Sequence, residues 1–216
     1  MRKIIFCLLL FFGALKTYSQ SKDYFSTEFD ANYYYYFVGD NNSNNLNYGF
    51  SLLVSKYIQK LKISTGISYS IKSYNSQGDP FYSIQEREYN LEYLNFPIIA
   101  NIELFSHRKF RSSILTGFTF NQIVDYNIKT YYQNGETLTE NNLLDNKKLG
   151  VTFMLGTTFS KSIGNKCLFN LSPFMNYNLV SDHDNQRPDY RNIPDDKISI
   201  GFRIGIEYLF KTTKNE

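Results

Sequence analysis

From Lys197 to Phe210, bulky apolar residues alternate with small or charged ones. Ile198, Ile200, Phe202, Ile204, Ile206, Tyr208 and Phe210 share one parity, and Ser199, Gly201, Arg203, Gly205, Glu207 and Leu209 share the other. That two-residue period belongs to a β-strand, whose successive side chains point to opposite faces. About a dozen residues with an unbroken apolar face can cross a bilayer at the usual tilt, which takes roughly 9 to 11.

Seven further segments repeat the pattern. The first, about Tyr24 to Val38, sets Phe25, Thr27, Phe29, Ala31, Tyr33, Tyr35 and Phe37 against Ser26, Glu28, Asp30 and Asn32. It ends in four tyrosines, Tyr33 to Tyr36, whose outward pair suits the aromatic girdle of a membrane interface. The next carries Tyr48, Phe50, Leu52 and Val54, and the third opposes Leu61, Ile63, Thr65, Ile67, Tyr69 and Ile71 to Lys62, Ser64, Gly66, Ser68, Ser70 and Lys72. A fourth covers Arg87 to Leu104 and a fifth Phe110 to Val124. The sixth runs through Leu149, Val151, Phe153, Leu155 and Phe159, and the seventh through Phe169, Leu171, Met175, Tyr177 and Leu179.

The connections alternate in length. Those near 56–60, 106–109 and 163–165 are short, whereas 39–45, 74–86, 125–147 and 181–196 are long. In the longest, Asn134-Gly135 sits between strand-forming residues, a strong hairpin signal that extends both flanking strands. An even strand number, short turns at one end and long loops at the other describe an outer-membrane barrel with both termini on the periplasmic side.

Alternation alone does not say which face is inside, since a soluble ligand-binding barrel inverts the same pattern. Side-chain size decides. An eight-stranded interior is just wide enough for side chains to fill, and about six bulky apolar residues per strand exceed that space. The other parity is mainly Gly, Ser, Thr and Asn. The sequence therefore predicts an all-β protein, an eight-stranded antiparallel up-and-down transmembrane barrel with a lipid-facing apolar exterior and a small, polar interior. Pro97 and Pro173 fall within strands, where each removes a ladder hydrogen bond, so a bulge or bend is expected at each.

The N-terminus adds an address. Arg2 and Lys3, the apolar run Ile4 to Leu15, and Thr17-Tyr18-Ser19 form a secretory signal, giving a signal peptide at 1–19 and a barrel domain at 20–216. Export with insertion into the bacterial outer membrane follows as the expected location. The formal charge of +3 resides in that signal, because Arg2, Lys3 and Lys16 leave with it and no acid does. The mature chain is neutral and offers no basic field for nucleic acid. Cys7 leaves too, so Cys167 stands alone and forms no internal disulfide. His107 and His183 are far apart and no Cys/His spacing fits a metal, so neither metal nor cofactor is expected.

The run Tyr93-Leu94-Asn95-Phe96-Pro97-Ile98-Ile99 resembles the Leu-x-x-Pro-aliphatic signature of the PorT-like small outer-membrane β-barrels of Bacteroidetes. The signal ending in Tyr18-Ser19-Gln20 and a last strand closing on Phe210 are similar to that group as well. The resemblance spans the mature chain. It implies an eight-stranded outer-membrane barrel and, through the family's named member, an association with type IX secretion.

Charges on the interior parity are the first candidates for a site: Glu28, Asp30, Lys62, Glu92, Arg203 and Glu207, with Lys72 and Glu103 nearby in pattern. The first and last strands must pair to close the barrel, so Arg203 is expected to meet Glu28 or Asp30 across the seam, where a buried charge needs a partner. A filling ion-pair network is the expected role. Among the loops, Tyr131, Tyr132, Arg187, Tyr190 and Arg191 are residue types that anchor protein interfaces. They are candidates for contacts with envelope or secretion proteins, while the wall's own partner is membrane lipid. His107 beside Ser106 and Glu103, and His183 between Asp182 and Asp184, lack a catalytic motif. The reading is a non-enzymatic, structural or partner-binding protein. Its rivals are a lipid-modifying hydrolase or acyltransferase, in which a histidine converges with a Ser and a carboxylate, and a soluble lipocalin-like carrier with an apolar cavity.

Overall fold

The structure, a computed structural model, describes residues 24–36, 46–77, 83–140, 149–180 and 197–211. Nine strands follow one another within them: β1 (Tyr24–Tyr36), β2 (Leu46–Ile58), β3 (Leu61–Gln77), β4 (Ile84–His107), β5 (Phe110–Tyr132), β6 (Thr137–Glu140), β7 (Gly150–Ile163), β8 (Cys167–Val180) and β9 (Ile198–Lys211). Every pairing is antiparallel. Eight of the strands form a ring, β1-β2-β3-β4-β5-β7-β8-β9, which β1 and β9 close from Tyr24↔Lys211 to Tyr36↔Ser199. The ninth, β6, pairs only with the far end of β5. Closure leaves the ring no unpaired edge, the condition under which strands can cross lipid.

Each short connection turns through a left-handed residue. Gln59 (φ 58°) and Arg108 (φ 51°) begin two-residue turns, and Gly164 (φ 81°) begins a three-residue one. At the opposite end Asn134-Gly135 makes the expected hairpin. Gly135 takes φ 83°, its N–H donates to the Tyr132 carbonyl at 3.0 Å, and the Asn134 side chain accepts from the Glu136 N–H at 3.0 Å.

The ring's outer face is apolar from one end to the other. Phe29, Phe50, Leu52, Ile98, Phe159 and Ile206 are each half or more exposed, and the parity predicted as lipid-facing on β1, β8 and β9 points outward throughout. A soluble monomer does not display such a surface. Phe29 stacks on Phe50 and Tyr33 on Phe202 across strand pairs of this face.

Inside, small and polar residues hold two levels, joined by short side-chain ladders. Near the short-turn end, Thr158 lies between Asn101 and Ser172 at 2.9 Å from each; nearer the other end, Asn121 donates to Thr152 at 2.6 Å and Thr152 to Asn178 at 2.8 Å. Between these levels lies an apolar belt that the alternation did not announce. Leu53, Ile99, Leu115, Met154 and Phe174 are buried together with Tyr34 against them. Glycine makes the space: Phe174 is paired with Gly156 on one side and Gly201 on the other, and its ring lies so near Gly201 that a Cβ there would meet ring carbons at 2.9 and 3.1 Å. Alternating large and small residues around a narrow barrel is how such an interior is filled.

Pro97 and Pro173 do not produce the expected bulges. Thr65↔Ile98 and Ser68↔Asn95 keep one register across Pro97, and Gly156↔Phe174 and Phe159↔Leu171 keep one across Pro173. Each proline drops the pairing of one side only; the neighbouring strands, through Pro97↔Thr119 and Pro173↔Phe202, hold the backbone straight. The bulges sit elsewhere, at Ile84/Glu86, Glu92/Tyr93 and Glu103/Phe105 between β4 and β5, and at Val151/Thr152 between β7 and β8.

Candidate functional site

The lumen near the short-turn end holds a charged cluster. Glu28 on β1 and Glu207 on β9 are directly opposed across the closing seam, a like-charge pair that is unfavourable by itself. Lys62 reaches in from β3 and sets its Nζ 2.6 Å from Glu28 Oε2 and 2.7 Å from Glu207 Oε2. Asn170 of β8 donates its Nδ2 to both carboxylates, at 2.6 and 2.9 Å, while Ser26 and Tyr57 donate to the remaining Glu207 oxygen at 2.5 and 2.8 Å. One rung further in, Arg203 Nε lies 3.5 Å from Asp30 Oδ2, both side chains almost fully enclosed. Gly205, opposite Asp30, gives the carboxyl its place, since a Cβ there would collide with Asp30 Oδ1.

Glu28, Asp30, Lys62, Arg203 and Glu207 are thus brought together, and Arg203 meets Asp30 rather than Glu28. Five charges in a low-dielectric space hold because each has an opposite neighbour and the Glu207 and Glu28 oxygens are hydrogen-bonded. Lys72 is buried on β3 several rungs away. Glu92 is a correction. It lies on the outer face of β4, where its carboxylate accepts from the Tyr69 hydroxyl, and takes no part in the cluster. Tyr89, Leu91 and Tyr93 fill the inner parity there.

That inversion marks a second feature. Beyond Asn121↔Gly150, the last ring contact of β7, β5 continues to Tyr132, roughly 35 Å along the strand. The start of β4 and all of β6 pair with it and the end of β3 pairs with β4 in turn, forming a four-stranded wall that outgrows the ring on one side. Its inner face buries Tyr89, Leu91, Tyr93, Ile123, Tyr126 and Ile128 as one cluster. Its outer face is polar: Asn75 donates to Glu86 at 2.8 Å, Tyr131 to Glu88 at 3.1 Å, and Lys129 stands 3.8 Å from Glu88. The Tyr131 phenol is held above its usual pKa, first of all because its hydroxyl donates a hydrogen bond to the Glu88 carboxylate. The chain order puts Tyr132 on the opposite face. Arg187, Tyr190 and Arg191, with His183 and its flanking aspartates, lie outside the described residues, as do the signal peptide and its cleavage point.

His107 does not converge with a nucleophile. It stacks on Phe105 at 6.1 Å on the outer surface, whereas Ser106, Glu103 and Arg111 line a polar recess of about 480 Å³ at the mouth of the lumen. The unpaired thiol of Cys167 begins β8, partly buried. Among the described residues, no three His, Cys, Asp or Glu side chains are gathered as a metal site.

A closed ring of eight meandering antiparallel strands, apolar outside and charged within, is the fold of the small outer-membrane barrels. No family model matches the sequence, and no curated protein matches it. Solved structures do. Neisserial surface protein A matches over 86% of this chain and 97% of its own, with a TM-score of 0.52 at 10% identity. A major outer membrane protein from Thermus thermophilus matches over 88% of this chain and 100% of its own, with a TM-score of 0.52 at 8% identity.

Proposed function

We propose that the protein is an integral barrel of the bacterial outer membrane, non-enzymatic, which presents its long-strand wall to protein partners as an accessory of secretion or envelope assembly in the manner of the PorT-like family. One observation carries the membrane assignment: the apolar outer face runs unbroken around the ring while the charges are turned inward. Lipid accepts that surface and water does not. The lumen supports a scaffold rather than a carrier or conduit. Lys62, Arg203 and three carboxylates occupy one level of it and the Leu53–Phe174 belt another, leaving the centre filled by side chains as expected for eight strands. A hydrolase needs nucleophile, base and orienting acid in one cleft, and His107 and Ser106 point to different faces.

On this reading the short turns face the periplasm and the wall stands outside the cell. Tyr131 and Tyr132 of the wall, and Arg187, Tyr190 and Arg191 of the 181–196 connection, supply the aromatic and guanidinium groups that dominate interface energies. The test is fractionation followed by unheated and heated electrophoresis. Recovery in the outer membrane with heat-modifiable migration supports the barrel; a freely soluble protein overturns it. Pull-down with a Tyr131→Ala/Tyr132→Ala variant then tests the wall, and an envelope partner retained undiminished by the variant rejects it.

A further inference from the structure

Among the described residues, the two ends of the barrel carry opposite charge. On the described outer face of the wall, Glu86, Glu88, Glu92 and Asp125 outnumber Lys129. Among the described residues, the exposed cations at the short-turn end are Lys56, Lys60, Arg108, Lys109, Lys161 and Lys166, while Glu103 faces the lumenal recess. Two of these lysines lie on the lipid-facing surface, each against an aromatic ring at the very edge of the apolar band. Lys56 Nζ stands 5.7 Å from the centre of the Phe25 ring, and Lys161 Nζ 5.5 Å from that of Phe110. Both rings are exposed outward, and the strand order sets the β1/β2 pair and the β5/β7 pair on opposite sides of the ring.

We propose that this edge is a binding belt for anionic phospholipid headgroups of the periplasm-facing leaflet, with Lys56 and Lys161 as its two principal phosphate contacts. A lysine stem laid along an aromatic ring at the end of an apolar band carries its ammonium to headgroup depth. There the cation meets phosphate oxygens while the ring covers acyl carbon. The turn cations Lys60, Arg108, Lys109 and Lys166 add field without geometry, each strengthening attraction to an anionic surface roughly fivefold. An acidic soluble protein is a poorer occupant, because the lysines sit against rings that the bilayer itself covers. The acidic wall at the other end gives the barrel a polarity matched to this placement.

The proposal rests on the membrane reading, and the two fail separately: a soluble protein ends both, while a membrane protein indifferent to headgroup charge ends only this one. Refolded protein in an equimolar mixture of phosphatidylglycerol and phosphatidylcholine is examined by native mass spectrometry. Preferential retention of phosphatidylglycerol is expected, reduced about 25-fold in Lys56→Gln/Lys161→Gln and restored in Lys56→Arg/Lys161→Arg. Lys129→Gln on the wall should leave it unchanged. Equal retention of the two lipids, or an equal loss in Lys129→Gln, overturns the proposal. Wild-type protein washed in high salt reads the same contact without substitution: the anionic adducts must fall and the zwitterionic ones persist.

Discussion

Lys62 is the residue on which closure of the barrel depends most directly. Its ammonium lies 2.6 and 2.7 Å from two carboxylates that the β1–β9 pairing places opposite one another. Replacing it by Met keeps most of the stem's volume and removes the charge, leaving Glu28 and Glu207 face to face and nearly unexposed. Breaking a buried pair by removing one partner costs about 3–5 kcal/mol, against a typical domain stability of roughly 5–15. With a urea slope of about 1–3 kcal/mol per molar, the unfolding midpoint of Lys62→Met should fall by at least about 1 M. The folded fraction is read from unheated gel migration of protein refolded in lipid. The triple variant Lys62→Met/Glu28→Gln/Glu207→Gln removes all three charges and should recover most of the loss. A midpoint for Lys62→Met within a few tenths molar of wild type refutes the electrostatic account. A triple variant as weak as the single would instead place the contribution in the stem, whose ammonium end lies 5.7 Å from the Tyr57 ring centre.

Four further substitutions test three interior positions and one exposed turn. Arg203→Leu strands Asp30 without its cation and should cost about 3 kcal/mol in the same titration, with Asp30→Asn restoring part of it. Phe174→Ala empties the middle of the belt and should cost about 3–5 kcal/mol. Gly205→Ala drives a methyl into the Asp30 carboxyl and to 3.0 Å from the Phe29 carbonyl oxygen, so its refolding yield should collapse. Gly135→Ala, with nothing within 4 Å, should cost only about 1 kcal/mol of turn strain and leave the yield intact.

What the sequence shows of this fold follows from where the two faces differ chemically. On β1, β8 and β9 lipid touches one parity and the crowded lumen the other, so bulk and polarity separate and the period reads correctly. The interior charges of the seam stand out for the same reason, since Glu28 and Glu207 interrupt runs of small residues at inward positions. On β4 the rule fails twice. In its lower half both faces are apolar, with Phe96 and Ile98 outward and Pro97 and Ile99 inward, because the belt needs bulk where the neighbouring strand supplies only Gly66 or Gly117. In its upper half the wall has left the ring, and its outer side carries Glu86, Glu88 and Glu92 while Tyr89, Leu91 and Tyr93 turn inward. Glu92 therefore looks like a lumenal carboxylate in the pattern and stands outside in the fold. On β5 the β-bulge at Val124 switches parity between Ile123 and Tyr126, and a strict two-residue count carried through it assigns every later side chain to the wrong face. Local alternation identifies strands and says little about where a membrane ends. The end is written in the change of which face carries the charge, and that change is visible only once the register to β3 and β5 is known.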